Sequence, residues 1–175
     1  MAACDLLTGG IDLSCDNNVG GIKKIRFTEK SNVSSITLTS DEISAFNMAG
    51  SPPAKFYNFQ FNKNTSSYTQ EISYDQATGR KLTTITINLV LNRREKAKRD
   101  KLLLLGQLKD MVAIITDNND INWYAGETFG INLTTEGGGS GVTKTDANQY
   151  VVTFVGEEPK PMNTATAAAV TAVSA

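Results

Sequence analysis

The chain has 175 residues, of which 40% are hydrophobic and 20% charged, and its formal net charge is −1. These values are typical of one folded domain and exclude an intrinsically disordered chain. The small net charge gives no overall field toward nucleic acid or an anionic membrane, and no apolar run reaches the roughly 18–20 residues that span a bilayer.

Residues 1–19 are predicted to form an N-terminal arm. They lack the basic and apolar regions of a secretory signal, which predicts synthesis and folding in a cytoplasm. Cys4 and Cys15 are the two cysteines of the chain. Two free thiols are expected in a reducing compartment, and a disulfide formed after release into an oxidising medium stays open as an alternative.

Residues 20–156 read as a single β-rich domain. Short alternating runs of apolar and polar residues predict strands over 22–27, 33–39 and 55–62. The segment 41–48 is ambiguous between a strand and a short helical turn, and the Ser51-Pro52-Pro53 sequence ends it.

The clearest element is a long β-hairpin at about 66–92. Its second half carries Ile85, Ile87, Leu89 and Leu91 on one face, and Gly79 in the intervening turn suits a positive φ. A two-stranded ribbon of this length is only marginally stable alone, so other structure must cover it.

One flanking α-helix is predicted at about 92–106, with Asn92 as its N-cap and Gly106 at its end. The near-continuous apolar run 111–116 predicts a strand buried on both faces. Further strands are expected at 122–125, 129–133 and 150–155. The glycine-rich stretch 136–141 is expected to be a flexible surface loop.

Residues 157–175 are predicted to form an extended C-terminal arm. Their first part is punctuated by prolines, and 163–175 contain only small, uncharged side chains. Such a segment is expected to be disordered in an isolated subunit and to become ordered against a neighbouring one.

The sequence contains no convincing catalytic, cofactor or metal site. Histidine is absent, which removes the commonest general base and the usual transition-metal ligand, so the chain is not expected to be an enzyme. The acidic stretch 117–122 lacks the glycine and the distal glutamate of an EF-hand, and an Asx-rich hairpin turn is expected there instead.

Two clusters allow more than one interpretation. The basic residues between Arg93 and Lys101 could contact nucleic acid phosphates, form a solvated helix end, or pair with carboxylates of a neighbouring subunit. Trp123 and Tyr124, with the aromatic residues between Phe56 and Phe61, could form a sugar-binding platform or belong to the core of the sandwich.

Five short segments of the sequence resemble segments found in one family of proteins. They are NNVGGIK at 17–23, SYTQEI at 67–72, DNN at 117–119 leading to Trp123, DANQY at 146–150 and VTFVGEE at 152–158. Together with the order of the segments, they resemble virion structural proteins of tailed bacteriophages, and the tail tube (major tail) subunits best. The resemblance extends from Cys4 to Pro161.

The resemblance implies an all-β fold, a sandwich or barrel with one helix and a long hairpin. It also implies six subunits that close into a ring, and rings that stack into a hollow tube conducting DNA without sequence-specific binding. The hairpin and the terminal arms would contact other subunits. Other tail or virion proteins are further expected partners, and the virion is the expected location. The lumen of such tubes is often acidic, but this sequence shows no obvious acidic stripe.

Two other functions stay open at this stage. One is a different virion component, such as a capsid decoration, head–tail connector or tail terminator. The other is a carbohydrate-binding adhesin module, which exposed Trp123 and Tyr124 side chains would favour. For the assembly hypothesis, the candidate intersubunit contacts are Tyr68, Gln70, Asp75, Arg80, Arg93, Arg94, Lys98, Val170 and Val173.

Overall fold

The computed structural model describes residues 18–175, so most of the predicted N-terminal arm, with Cys4 and Cys15, lies outside the described residues. Eleven strands, two α-helices and a 3-10 turn at Lys30–Asn32 follow one another along the chain. The strands are β1 Ile22–Glu29, β2 Val33–Thr39, β3 Glu42–Met48, β4 Tyr57–Phe59, β5 Ser67–Asp75, β6 Arg80–Asn92, β7 Met111–Asp117, β8 Asn122–Ala125, β9 Ile131–Gly139, β10 Gln149–Glu158 and β11 Asn163–Ala165. The helices are α1 Lys96–Gln107 and α2 Ala167–Val173.

The strands form two layers, which confirms the all-β sandwich. The first layer has the order β4-β1-β7-β8-β11-β3-β2, and the second has the order β9-β10-β6-β5. A single pair, Met111 with Ile131, joins the layers through β7 and β9. Every pairing is antiparallel except that of β11 with β3.

The main core lies between the two layers. From the second layer, β6 contributes four buried aliphatic residues in strict alternation, Ile85, Ile87, Leu89 and Leu91. From the first layer, Phe27 packs on Phe154 of β10, with ring centroids 4.7 Å apart. Leu102 and Leu105 of α1 close this core at one side. The alternation predicted for the hairpin therefore decides which of its faces is buried.

A second core covers the outer face of the first layer. Every residue of β7 is buried, as predicted, because Val112 and Ile114 point into this second core while their neighbours point into the first. Phe46 packs here against Phe56 and Tyr124 at centroid distances of 5.7 and 5.1 Å. The helix α2 covers the cluster from outside.

The prediction of an extended C-terminal arm is wrong. β11 inserts between β3 and β8, and α2 follows with Thr166 as its N-cap, whose hydroxyl accepts from the Ala169 backbone N–H. Val170 and Val173 are buried in the subunit's own second core. The small side chains that looked too small to form a core on their own fit closely against large residues supplied by β3, β7 and β8.

Three local predictions also need correction. The ambiguous segment 41–48 is the strand β3, and the expected flexible loop 136–141 largely belongs to β9. A Cβ at Gly138 would approach Gln149 O to 2.5 Å, so glycine is needed where β9 passes close to β10. Finally, α1 begins at Lys96 rather than at Asn92, because β6 continues to Asn92 and Arg93 turns the chain with φ 55°.

Candidate functional site

The β5–β6 hairpin is the most prominent surface feature of the described chain, and its extent agrees with the prediction of 66–92. Its strands are in register from Ser67 opposite Asn88 to Asp75 opposite Arg80. All residues from Glu71 to Lys81 are exposed, whereas Thr83 and the alternate residues after it are buried. We call residues 71–81 the hairpin tip. It extends beyond the core by about 15 Å, estimated from five residues per strand.

The turn of the hairpin tip is well ordered by its own hydrogen bonds. Asp75 Oδ1 accepts from the Ala77 backbone N–H at 3.0 Å, and Asp75 Oδ2 accepts from the Thr78 hydroxyl at 2.7 Å. These bonds, that from Thr78 first, lower the pKa of Asp75 below its ordinary value. Gly79 supplies the positive φ, at 67°. Asp75 therefore holds the shape of the turn, and Arg80 lies beside it on the surface.

The core-facing side of the hairpin continues as an apolar surface on the tip. Ile72 and Tyr74 are 39% and 63% exposed, and they lie on the same face as the buried residues of β6. The Lys81 ammonium lies 5.8 Å from the centroid of the Tyr74 ring. An apolar strip on a projecting ribbon with no cover from residues 18–175 is typical of a surface that meets another chain.

Tyr68 and Gln70 are engaged inside the subunit. Tyr68 packs against the main core, and burial, with the nearby Asp117 carboxylate, raises its pKa. Gln70 Oε1 accepts from the Met162 backbone N–H at 2.9 Å. These two residues thus fix the base of the hairpin to the rest of the subunit.

Arg93, Arg94 and Lys98 lie where β6 turns into α1. The Arg93 backbone N–H donates to Asn148 O at 2.7 Å, and the Arg94 guanidinium lies 5.1 Å from the centroid of the Tyr150 ring. Lys98 Nζ lies 3.1 Å from Glu95 Oε1. These contacts favour a solvated, internally paired helix end over a phosphate-binding cluster, while the guanidinium groups of Arg93 and Arg94 remain on the surface.

The other basic residues at the start of α1 are also paired. Lys96 Nζ and Arg99 Nη2 each lie 2.8 Å from a different oxygen of Asp100. The hydrogen bonds from Lys96 first, and then from Arg99, lower the pKa of Asp100. All three side chains are well exposed, so these pairs contribute little to stability.

The stretch 117–122 forms the expected Asx-rich turn. Asp117 is buried, and its Oδ1 accepts from the backbone N–H groups of Asn119 and Ile121, each at 2.9 Å. Its Oδ2 accepts from Trp123 Nε1 at 3.1 Å. Both carboxylate oxygens are therefore used within the protein. Among residues 18–175, no group of three or more His, Cys, Asp or Glu side chains is arranged to hold a metal ion.

The aromatic pair at 123–124 is not arranged as a sugar-binding platform. Tyr124 is only 3% exposed and belongs to the second core, where burial raises its pKa strongly. Trp123 is half-buried and uses its indole N–H on Asp117. The condition that would have favoured an adhesin, exposure of both rings, is not met.

The distribution of charge over the second layer was not anticipated from the sequence. The four strands β5, β6, β9 and β10 contain only two basic residues, Arg80 and Lys81, and both lie at the hairpin turn. On the outer face of this layer, Glu71, Thr84 and Glu157 stand side by side on three adjacent strands. The remaining residues of that face are mostly Thr, Ser, Asn and Val. Glu71, Thr84 and Glu157 come from three separate strands, so their alignment follows from the strand register and cannot be read from the sequence.

Two further findings bear on function. In the part of the chain that the structure describes, no helix has both the length and the apolar character needed to cross a membrane. Comparison with protein-family models, with curated proteins and with solved structures finds no match to this chain.

Proposed function

We propose that this chain is a virion structural subunit of the tail tube kind, which assembles with copies of itself into stacked rings through which DNA passes. It performs no chemistry of its own. The observation that carries the proposal is the hairpin tip, a preformed ribbon that presents Ile72 and Tyr74 to solvent. Exposing these side chains costs the isolated subunit free energy that a contact with another copy would recover.

The unpaired sheet edges support the same proposal. Within residues 18–175, β2 and β5 stand at the two ends of the strand order, and β4 is bonded only to β1. β2 has the sequence VSSITLT, with no charge and no proline. Natural monomers usually protect an edge of this length with charges, prolines or bulges. Of these protections β2 has only bulges, since its pairing with β3 shifts register between Val33 and Ser35 and between Thr37 and Leu38. An uncharged edge is suited to contact with another subunit.

The charge on the second layer is an argument for the proposed passage of DNA in particular. Its outer face carries the acidic pair Glu71 and Glu157 and no basic residue away from the hairpin turn. A surface without Lys or Arg releases no counterions on meeting DNA and does not retain it. Such a face suits the wall of a channel through which DNA must move freely.

The test compares the assembly of the purified protein with that of hairpin variants. We expect the wild-type protein to form rings or tubes at high concentration, seen by negative-stain microscopy and by sedimentation velocity. Ile72→Ser combined with Tyr74→Ser should assemble poorly, since both changes remove apolar contact area. Because both residues are exposed, its melting temperature should stay close to that of the wild type. The matched control is Ser73→Ala, on the opposite face of the same strand, which should assemble normally.

A deletion variant tests whether the hairpin tip is needed for assembly or for folding of the subunit. Asp75 to Arg80 are deleted and the strands are rejoined by a two-residue turn. We expect a folded monomer that no longer polymerises. A wild-type protein that stays monomeric across concentration and salt would refute the proposal. Rings that form without stacking would favour a connector or a tail terminator instead.

A further inference from the structure

An apolar groove with a volume of about 740 Å³ lies between α1 and the edge formed by β1 and β4. Phe27, Phe59 and Met111 are among its deeper residues, and Leu104 and Tyr57 stand on opposite walls. Leu104 is 58% exposed and Tyr57 is 61% exposed. The groove is thus large enough for several apolar side chains, and residues 18–175 leave it open.

The wall formed by α1 is basic. Two lysines line it, Lys98 and Lys101. Lys98 is already paired with Glu95, whereas Lys101 forms no ion pair with any residue between 18 and 175. A fitting occupant would therefore offer apolar side chains together with a carboxylate.

The N-terminal segment of the chain has this composition. Residues 1–17 have the sequence MAACDLLTGGIDLSCDN, which contains three aspartates and neither lysine nor arginine. Asp5 directly precedes Leu6 and Leu7, and Asp12 stands between Ile11 and Leu13. The segment thus repeats, within nine residues, the combination of aliphatic and acidic groups that the groove would accept.

The segment is also long enough to reach the groove of its own chain. The described chain starts at the 117–120 turn, where the Val19 backbone N–H donates to Asn119 Oδ1 at 2.8 Å. From there β1 runs to the groove, a distance of roughly 26 Å for eight residues. Ten residues lie between Leu7 and Asn18, and the eleven steps from one to the other span up to about 36 Å when extended. A segment of the same chain also acts at an effective concentration in the millimolar range, which a separate copy does not match before assembly.

We propose that residues 5–7 of the same chain occupy this groove, with Leu6 and Leu7 against its apolar walls and Asp5 beside Lys101. The inference goes beyond the proposed assembly and does not depend on it. It assigns to this N-terminal segment a binding site within its own subunit, between α1 and the β4 edge.

The two native cysteines make the test direct, because they are the only thiols of the chain and both lie within residues 1–17. In a Cys15→Ser background, Cys4 is paired with a new cysteine at Leu104→Cys, and disulfide formation is followed under mild oxidation in the full-length protein. The matched control is Leu103→Cys, because Leu103 is 62% exposed on the same helix but does not line the groove. We expect intrachain disulfide formation at position 104 to be about tenfold faster than at position 103.

Two further variants keep the test decisive. Tyr57→Cys places the thiol on the opposite wall and should also react faster than the control. Lys101→Glu should slow the reaction at position 104, whereas Lys144→Glu, in the distant 140–148 loop, should not. Equal rates at positions 103 and 104 would overturn the inference. Disulfides found only between chains would overturn it as well, and would assign the groove to a second copy. A strictly monomeric protein would refute the assembly proposal without affecting the intrachain reaction.

Discussion

Two buried carboxylates hold the loops of the sandwich in place. Asp117 organises the turn between β7 and β8, as described above. Glu158, at the end of β10, accepts from the backbone N–H of Thr128 at 3.0 Å and from that of Phe129 at 3.1 Å. A buried charge is tolerated only when hydrogen bonds replace its hydration. Within residues 18–175, no buried side-chain nitrogen or oxygen lacks a partner.

Replacing Glu158 should therefore destabilise the protein measurably. Glu158→Gln can retain the oxygen that accepts from both backbone N–H groups, but its NH2 group then faces the Thr128 N–H donor in place of the second oxygen. We expect the free energy of unfolding to fall by about 1–3 kcal/mol. The control is Glu157→Gln, because Glu157 is the exposed neighbour on the same strand, and it should change stability by less than about 0.5 kcal/mol. Chemical denaturation of the two variants checks the comparison, and equal effects would contradict this role for Glu158.

At the scale of elements, the chain's alternating strands were predictable and its C-terminal segment was not. The hairpin was predicted within a residue or two, because β6 alternates between buried and more exposed residues from Thr83 to Leu91 and Gly79 marks the turn. The residues 163–175 show no such pattern. Their burial depends on Phe46, Phe56 and Tyr124, which lie far away in sequence and supply the large side chains. Only the tertiary structure brings the two sets together.

The candidate intersubunit contacts were likewise predictable where local composition decides exposure, and not where burial depends on distant strands. The exposed position of Asp75 and Arg80 follows from the polar composition of the turn, which the sequence displays directly. The burial of Val170 and Val173 follows from a long-range pairing, because β11 inserts between β3 and β8. Local pattern cannot predict an insertion of this kind, since strand partners separated by 40 or more residues leave no periodic signal within a short window.

The corrected position of α2 leads to a prediction about stability. Val170→Ala removes two buried methyl groups from the second core, and we expect the free energy of unfolding to fall by about 1–3 kcal/mol. Val142→Ala is the matched control, because Val142 is 98% exposed, and it should have almost no effect. Thermal and denaturant unfolding of the purified variants would measure both. An unchanged stability for Val170→Ala would indicate that the C-terminal segment is not part of the folded subunit.

At the scale of the whole molecule, the outer face of the second layer differs from the rest of the surface in its charge. Away from the hairpin turn, the outer face of the second layer has only acidic and neutral side chains, whereas basic residues lie on β1, on α1 and in several loops. The apolar residues of the hairpin tip, Ile72 and Tyr74, and those of the α1 groove, such as Tyr57 and Leu104, do not lie on that outer face. In the proposed assembly, the apolar surfaces would contact other chains and the acidic to neutral face would line the channel, although the net charge of the chain is only −1.

The proposed role of the acidic face can be tested by making it basic. Thr69 is exposed on β5, beside Thr86 in register, so Thr69→Lys places a lysine on this face in every copy of a ring. If the face lines the channel, tubes of this variant should retain linear double-stranded DNA that wild-type tubes release, because each phosphate contact releases counterions. The retention should weaken steeply with salt, with a log–log slope that grows by about 0.9 for each phosphate contact. The control is Ala172→Lys, on the exposed side of α2, which covers the opposite side of the sandwich, and tube formation by both variants is verified by microscopy. Fluorescence anisotropy of labelled duplexes measures the binding, and equal retention by the two variants would show that the second layer does not face the DNA.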